Sequence, residues 1–227
     1  MSDWSTASLL AIEASSPTLR LALAFGGDRL VHSETETEQS LGQMIIRRID
    51  TLCQSAGLGP AQCDGIVVGT GPGSFTGLRI AISAAKGIAV ARKIPIVGVS
   101  IFEIAAVSLR HEREPIDLCT SVRKGELLVT QYDNGKLDIN NVRAMSIAEF
   151  AAIGGTKPFA CIHCSSSCDC GDSSRRNLSA SLQITASILL RLGREKLERG
   201  EIPDIASLEP LYIQLSQAEI NHGRRSL

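Results

Sequence analysis

The chain has 227 residues, 44% of them hydrophobic, which is enough for one large domain or two small ones with a substantial core. Its formal net charge of −1 gives little support to direct binding of nucleic acid through a basic surface. No apolar run reaches the ~18 residues of a membrane span, no leader pattern is recognisable, and the seven cysteines fit a reducing compartment, so we expect a cytoplasmic protein without membrane association.

The first half of the chain predicts three strands followed by alternating helices and strands. Apolar residues alternate in the strand segments and recur at every third or fourth position in the first helix. This order is typical of an RNase H-like unit, in which an antiparallel hairpin joins a parallel sheet. In chain order the segments are two strands within 8–25, a strand at 29–34, a helix at 40–56, a strand at 65–68, a helix at 75–91, a strand at 94–99 and a helix from 101 to 110.

The second half repeats a reduced form of the same order. Asn134-Gly135 is a strong hairpin signal between two of its strands. We therefore predict an α/β protein with two RNase H-like lobes, at 1–112 and 113–227, each a mixed sheet with an antiparallel meander and flanking helices. The segments of the second lobe are strands at 116–122, 127–133 and 136–144, a helix at 146–152, a strand at 159–163 and a helix at 182–197.

A glycine-rich turn joins the strand at 65–68 to the long helix, and we call residues 71–77 the glycine loop. A strand, a glycine turn and a helix start are the ingredients of an anion site. The loop nevertheless matches neither the Walker A pattern, nor G-x-G-x-x-G, nor the G-x-S-x-G nucleophile elbow. Two readings stay open: a tight turn with Ser74 as helix cap, or a loop that contacts a ligand.

The segment from Gly71 to Ile80, which reads GPGSFTGLRI, resembles the signature of the TsaB (YeaZ) family, small relatives of the actin/Hsp70/sugar-kinase superfamily. Further segments resemble the family in the same order, and only 146–206 is weakly similar. They are the first strand at 9–15, the strand at 94–100, the Arg-x-Gly-Glu hairpin at 123–126 and the Pro-x-Tyr segment at 209–213.

The resemblance implies an actin-like fold of two lobes and a non-catalytic role. Such a subunit supports TsaD, which transfers a threonylcarbamoyl group to adenosine N6 of tRNA to form t6A. TsaD is then the expected heterodimer partner, TsaE joins the full complex, and a homodimer is expected when the chain is alone. The chain would be linked to tRNA only through the complex. The resemblance implies no cofactor in this chain, and a bound nucleotide would lie at a partner interface.

Two sets of residues are candidate contacts. The glycine loop supplies an anion or interface set: Gly71, Gly73, Ser74, Thr76, Gly77 and Arg79. The long helix is apolar nearly all round, which predicts cover on two sides, and its small residues would let a partner helix approach closely. Together with the first helix it supplies the predicted partner interface: Gly77, Ala81, Ala84, Ala85, Ile88, Met44 and Ile45.

Several positions depart from the family pattern. Glu13 stands where the superfamily's ATPases place an aspartate near metal and phosphates, and we favour a carboxylate that bonds local turn amides. Gln39 replaces a family histidine, and Ser121 and Val122 replace the residues that precede Arg123 in the family's Asp-Ala-Arg turn. An ATP-dependent kinase or transferase remains the alternative function. A metallopeptidase is remote, because neither H-E-x-x-H nor H-x-x-E-H occurs.

A cysteine cluster lies in the second lobe. Its spacing does not match a two-knuckle zinc site, so we expect no metal and a Cys-rich loop. The alternative is a zinc site formed by Cys161, Cys164, Cys168 and Cys170.

Overall fold

A computed structural model describes residues 3–37, 41–123, 125–153, 155–163 and 175–211. Within these residues no helix combines the length and the apolar character that crossing a bilayer requires. The strands are β1 (Leu9–Glu13), β2 (Thr18–Phe25), β3 (Arg29–Glu36), β4 (Gly65–Gly71), β5 (Ile96–Ser100), β6 (Ile116–Arg123), β7 (Glu126–Asp133), β8 (Lys136–Leu137), β9 (Arg143–Ser146) and β10 (Phe159–Ile162). The α-helices are α1 (Leu41–Ser55), α2 (Phe75–Arg92), α3 (Ile101–Ser108), α4 (Ile147–Ile153) and α5 (Ala186–Glu198).

The chain divides into two compact units, and the first contains a five-stranded mixed sheet in the order β3-β2-β1-β4-β5. β1, β2 and β3 form an antiparallel meander, whereas β4 pairs parallel with both β1 and β5. The order of elements predicted for the first half of the chain is therefore confirmed, with the antiparallel hairpin and the parallel strands in one sheet.

Helices cover both faces of this sheet. α1 and α2 pack on the face that carries Ile66 and Val68, where one apolar core joins them to β1 and β2. α5 packs on the other face, where its Gly193 lies directly over Val67. Val67 faces away from Ile66 and Val68 because neighbouring strand residues point to opposite faces of a sheet. α3 also contacts α5 on this second side.

The placement of α5 changes the division of the chain. The first unit contains 1–112 together with 181–210, and the second contains 113–180 with 211–227. The sequence-based division assigned everything after 112 to the second lobe, which is wrong for 181–210. The physical reason is that α5 buries Leu189, Leu190 and Leu197 and contacts β1, β2, β4 and β5 of the first sheet.

The second unit contains the sheet β10-β6-β7-β8, with β9 also paired to β7. β6 runs antiparallel to β7 and parallel to β10. The single strand predicted at 136–144 is instead two short strands, β8 and β9, separated by a 3-10 turn at Ile139–Asn141.

α5 of the first unit begins later than the sequence predicts. The predicted helix at 182–197 begins four residues later, at Ala186, where Thr185 Oγ1 caps it by accepting from Ile188 N.

A guanidinium group is buried in the second unit. Arg175 is 4% exposed and lies over the rings of Phe150 and Phe159, at 4.6 and 5.2 Å from their centroids. Its Nη2 donates to Asp117 Oδ2 at 2.5 Å, and its Nε donates to the Lys157 carbonyl at 2.8 Å. Arg175 therefore links the start of β6 to the segment that precedes β10.

We predict that Arg175→Ala destabilises the second unit by about 3–5 kcal/mol, because the Asp117 carboxylate would stay buried without its counter-charge. The matched control is Arg176→Ala, which breaks an ion pair with Glu114 whose two side chains are about half exposed. An exposed pair contributes at most ~1 kcal/mol. Urea unfolding followed by circular dichroism gives both values, and equal losses in the two variants would contradict the assigned role of Arg175.

Candidate functional site

The glycine loop follows β4 and leads directly into α2 as a capped turn. Ser74 is the N-cap residue: its Oγ accepts from Gly77 N at 3.2 Å and its carbonyl accepts from Leu78 N at 2.9 Å. Ser74 N itself donates to the Ser15 carbonyl at 2.6 Å. The amide groups of Ser74 and Gly77 are therefore bonded within the protein, and Leu78 N makes the first hydrogen bond of the helix, which is the geometry of a capped turn.

Two glycines of the loop lie against the turn that follows β1. A Cβ added at Gly73 would overlap the Ser15 carbonyl oxygen, and one added at Gly77 would overlap the Ala14 carbonyl oxygen. Gly71 has a φ of +81°, which L side chains rarely adopt. Close approach of backbone to backbone thus accounts for the glycines at 73 and 77, and the local backbone conformation accounts for Gly71.

A second set of hydrogen bonds holds the loop from the side of β5. Ser100 Oγ donates to the Gly71 carbonyl at 2.9 Å, and Ser100 N donates to Glu103 Oε2 at 2.7 Å. Lys196 Nζ of α5 lies 2.8 Å from Glu103 Oε1 and donates to the Gly98 carbonyl. The sequence analysis missed Ser100, although a serine directly after a buried strand and three residues before a glutamate is a capping-box signal.

Glu13 lies at the end of β1 and is fully buried. Its Oε1 accepts from Ser15 N at 2.6 Å, and its Oε2 pairs with Arg20 Nη1 at 3.3 Å. Arg20 Nη1 also donates to Ser16 Oγ at 2.9 Å. Burial raises the pKa of Glu13, although the Ser15 hydrogen bonds and the Arg20 charge act in the opposite direction. The carboxylate bonds a local turn amide, as expected, and Arg20 adds a counter-charge that the sequence analysis did not anticipate.

The small residues of α2 face the core of their own unit. Gly77, Ala81 and Ala85 are buried there, as is Ile45 of α1. They cannot touch a partner while the unit is folded, so the prediction of direct partner contacts is corrected for these four. The physical reason is that small side chains let α2 lie close to its own sheet. Ala84, Ile88 and Met44 are half-buried, and for them the partner contact stays a prediction.

The outward flank of these two helices still carries apolar residues. α1 and α2 pack against each other, and Ile46 of α1 is 55% exposed. Ile46 lies beside the buried stripe of α1 rather than on it, so the apolar spacing of this helix does not indicate it as a contact residue. We define the α1–α2 surface as five of the apolar residues that these helices leave exposed or half-buried: Met44, Ile46, Ile80, Ala84 and Ile88.

The remaining predicted residues are exposed at the start of α2, buried in β10, or outside the described residues. Thr76 and Arg79 are exposed at the start of α2, where the Arg79 guanidinium lies 5.2 Å from the centroid of the Phe75 ring, so their contact role stays a prediction. Cys161 is buried in β10, and among the described residues no three His, Cys, Asp or Glu side chains are grouped for a metal. The positions that lie outside the described residues are Gln39, Cys164, Cys168, Cys170 and the side chain of Arg123.

Two glycines of α2 give a matched test of the close approach. We predict that Gly77→Ala costs about 2 kcal/mol or more, because its Cβ meets the backbone oxygen of Ala14 rather than a mobile side chain. Gly87→Ala, in open space on the same helix, should instead stabilise by ~0.5–1 kcal/mol through helix propensity. Thermal and urea unfolding measure both, and a harmless Gly77→Ala would refute the packing argument.

Glu13 gives a prediction about pH. Because the pKa of Glu13 is raised above its usual 4.5 in the folded protein, the folded state holds this proton more tightly than the unfolded state does. The wild type should therefore lose stability relative to Glu13→Gln as the pH rises from about 4.5 through the folded-state pKa. Urea unfolding of both proteins across this interval tests the sign. A wild type that gains stability relative to the variant would mean that Arg20 outweighs burial.

Comparison with known proteins adds the family. A protein-family model described as TsaD, tRNA N6-adenosine threonylcarbamoyltransferase, matches residues 35–166, more than half of the chain. The tRNA threonylcarbamoyladenosine biosynthesis protein TsaB of Haemophilus influenzae is 29% identical over 131 residues, 57% of this chain and 55% of that protein. The protein of the same name from Bacillus subtilis is 32% identical over 132 residues, 57% of this chain and 58% of the relative. The chain thus spans little more than half the length of these curated relatives.

Solved structures give the fold. YeaZ from Pseudomonas aeruginosa superimposes with a TM-score of 0.75 at 24% identity, over 92% of this chain and 100% of the other. A Bacteroides thetaiotaomicron protein described as having an actin-like ATPase fold and unknown function gives a TM-score of 0.50 at 9% identity, over 84% and 99%. The fold predicted from sequence is confirmed, and the chain belongs to the family of the matching model, within which it is a TsaB (YeaZ) member.

Proposed function

We propose that this chain is a non-catalytic subunit that docks onto a TsaD-type protein through the α1–α2 surface and supports t6A modification of tRNA. The observation that carries the proposal is that α1 and α2 pack against each other and both leave apolar side chains partly in solvent, with Ile46 more than half exposed. The family of the chain, and the relatives named for threonylcarbamoyladenosine biosynthesis, support the assignment to t6A modification.

The α1–α2 surface suits docking by another helix pair. Ile80, Ala84 and Ile88 recur at four-residue intervals along α2, so they lie on one side of the helix. They pack partly against the unit's core and leave the rest of their surface to solvent. A partner that covers this side removes apolar area from water, which stabilises the complex by about 25 cal/mol for each Å².

Several groups that an enzyme of this superfamily would use are engaged inside the unit. Glu13 is paired with Arg20 and bonded to Ser15 N, and the amide groups of Ser74, Gly77 and Leu78 are bonded to protein oxygens. These contacts support a subunit whose chemistry is performed by its partner, with any nucleotide held at the joint interface rather than by this chain alone.

The proposal extends to the assembly. TsaD is the heterodimer partner, TsaE joins the full complex, and the same surface can pair two copies of the chain when TsaD is absent. The chain is linked to tRNA through the complex rather than by its own surface, which is consistent with its formal net charge of −1. We place this activity in the cytoplasm.

We predict that Ile46→Glu weakens binding to the host's TsaD by ~100-fold, because a carboxylate buried without a counter-charge costs about 3 kcal/mol or more. Because Ile46 is 55% exposed, the isolated subunit should keep its unfolding midpoint. The control is Ile202→Glu, whose side chain is 47% exposed on the segment after α5. Co-expression followed by size exclusion measures binding, and complementation of a strain lacking this subunit measures t6A.

Two outcomes would contradict the proposal. One is co-purification with TsaD that is unchanged in Ile46→Glu, or lost equally in Ile202→Glu. The other is robust ATP hydrolysis by the isolated chain that disappears in Glu13→Ala, which would favour a kinase or transferase.

A further inference from the structure

Two cysteines lie at the ends of the connection between α1 and β4. Cys53 is in the last turn of α1, and Cys63 comes two residues before β4 begins. Both side chains are buried in the same apolar core, with exposures of 0% and 3%. Neither is part of a disulfide, and nothing in the family match or in the proposed function uses them.

Two hydrogen-bonded turns bring these cysteines together. At the end of α1, Gly57 N donates to Gln54 O at 2.9 Å and Leu58 N donates to Cys53 O at 3.0 Å, a Schellman motif with Gly57 at a φ of +73°. A 3-10 turn at Pro60–Gln62 follows, in which Cys63 N donates to Pro60 O. The chain is thereby reversed within a short, well-bonded segment, and Cys63 returns to the helix end that carries Cys53.

The two thiols share one buried core, and each is the largest influence on the pKa of the other. Donation from the Cys63 thiol lowers the pKa of Cys53, and the same hydrogen bond raises the pKa of Cys63. A thiolate, rather than a thiol, is the nucleophile in oxidation and disulfide exchange. Cys53 is therefore the sulfur expected to react first, and Cys63 is placed to resolve the product.

We propose that Cys53 and Cys63 form an oxidisable dithiol that hydroperoxides convert into an intramolecular disulfide. The Cys53 thiolate attacks one peroxide oxygen and the O–O bond breaks; hydroxide leaves from hydrogen peroxide, or an alkoxide from an organic hydroperoxide, which gives Cys53 sulfenic acid. Cys63 then attacks the Cys53 sulfur, the S–S bond forms, and the sulfenic oxygen leaves as water with the Cys63 proton. One peroxide is reduced, two thiols are oxidised, and local opening at the end of α1 admits the oxidant.

The sequence provides a clean readout of this reaction. Trypsin cleaves after Arg48 and Arg79 and at no position between them, so Cys53 and Cys63 share one peptide that contains no other cysteine. Full-length protein is treated with hydrogen peroxide, alkylated with N-ethylmaleimide, digested without reductant and weighed. We expect this peptide to lose two hydrogens and both alkylation sites, and to regain both sites after treatment with dithiothreitol.

Single variants separate the paired reaction from general oxidation. In Cys63→Ala, Cys53 has no resolving thiol, so its peptide should accumulate oxygen adducts instead of losing two hydrogens. In Cys53→Ala, the peptide should stay reduced at the same peroxide dose. In the wild type, oxidation should raise the unfolding midpoint by ~5 °C or more, because the bond closes a loop in the unfolded chain. Fluorescence of Trp4, the chain's single tryptophan, reports the midpoint in the first unit.

Three results would overturn the inference. One is a wild-type peptide that keeps both alkylation sites at peroxide doses that oxidise the cysteines of 161–170. Another is a wild-type peptide that gains oxygen as Cys63→Ala does, which would mean that the two sulfurs do not meet. The third is a disulfide that joins two chains, seen as a dimer on a non-reducing gel. None of these outcomes bears on TsaD binding, so this inference and the proposed function fail independently.

Discussion

The contact between the glycine loop and the turn after β1 is the constraint on which the first unit depends. The carbonyl oxygens of Ala14 and Ser15 occupy the space where side chains at 77 and 73 would be, and Ser74 N bonds to one of them. On the other side, Ser100 Oγ holds the Gly71 carbonyl. Because the loop is held between the end of β1 and the end of β5, the starting point and direction of α2 are determined before any apolar packing is considered.

The direction of α2 decides which of its residues meet the sheet. With its N-terminus held in place, the helix presents Ala81, Ala85 and Ala89 to the sheet, and their small size lets it lie close. Larger apolar residues are left on a flank that the unit covers only in part. The same geometry that caps the glycine loop therefore leaves part of the apolar surface of α2 uncovered by its own unit.

Local sequence patterns were sufficient to predict the strand and helix order of the first half of the chain and one hairpin turn of the second unit. α1 follows from its apolar spacing, and the Asn134-Gly135 turn between β7 and β8 follows from residues that favour positive φ. Long-range packing was beyond this reasoning. A helix that is apolar nearly all round does not reveal which side meets its own sheet. The sequence therefore predicts Ala81 and Ala85 as partner contacts, whereas the structure buries them against the core of their own unit. The sequence of α5 likewise carries no sign that Gly193 must fit over Val67, more than a hundred residues away. The pairing of Arg20 with Glu13 could have been predicted, because the antiparallel register of β1 and β2 places Arg20 opposite Glu13.

Both units neutralise a buried carboxylate with an arginine of their own. Glu13 pairs with Arg20 in the first unit, and Asp117 pairs with Arg175 in the second. A carboxylate that lacked such a partner would be costly to bury as an anion and would either hold its proton or attract a cation. The guanidinium groups supply positive charge and hydrogen-bond donors to these carboxylates, although for Glu13 burial still outweighs them and raises its pKa. In both units the carboxylate is thus held by a group of the same fold.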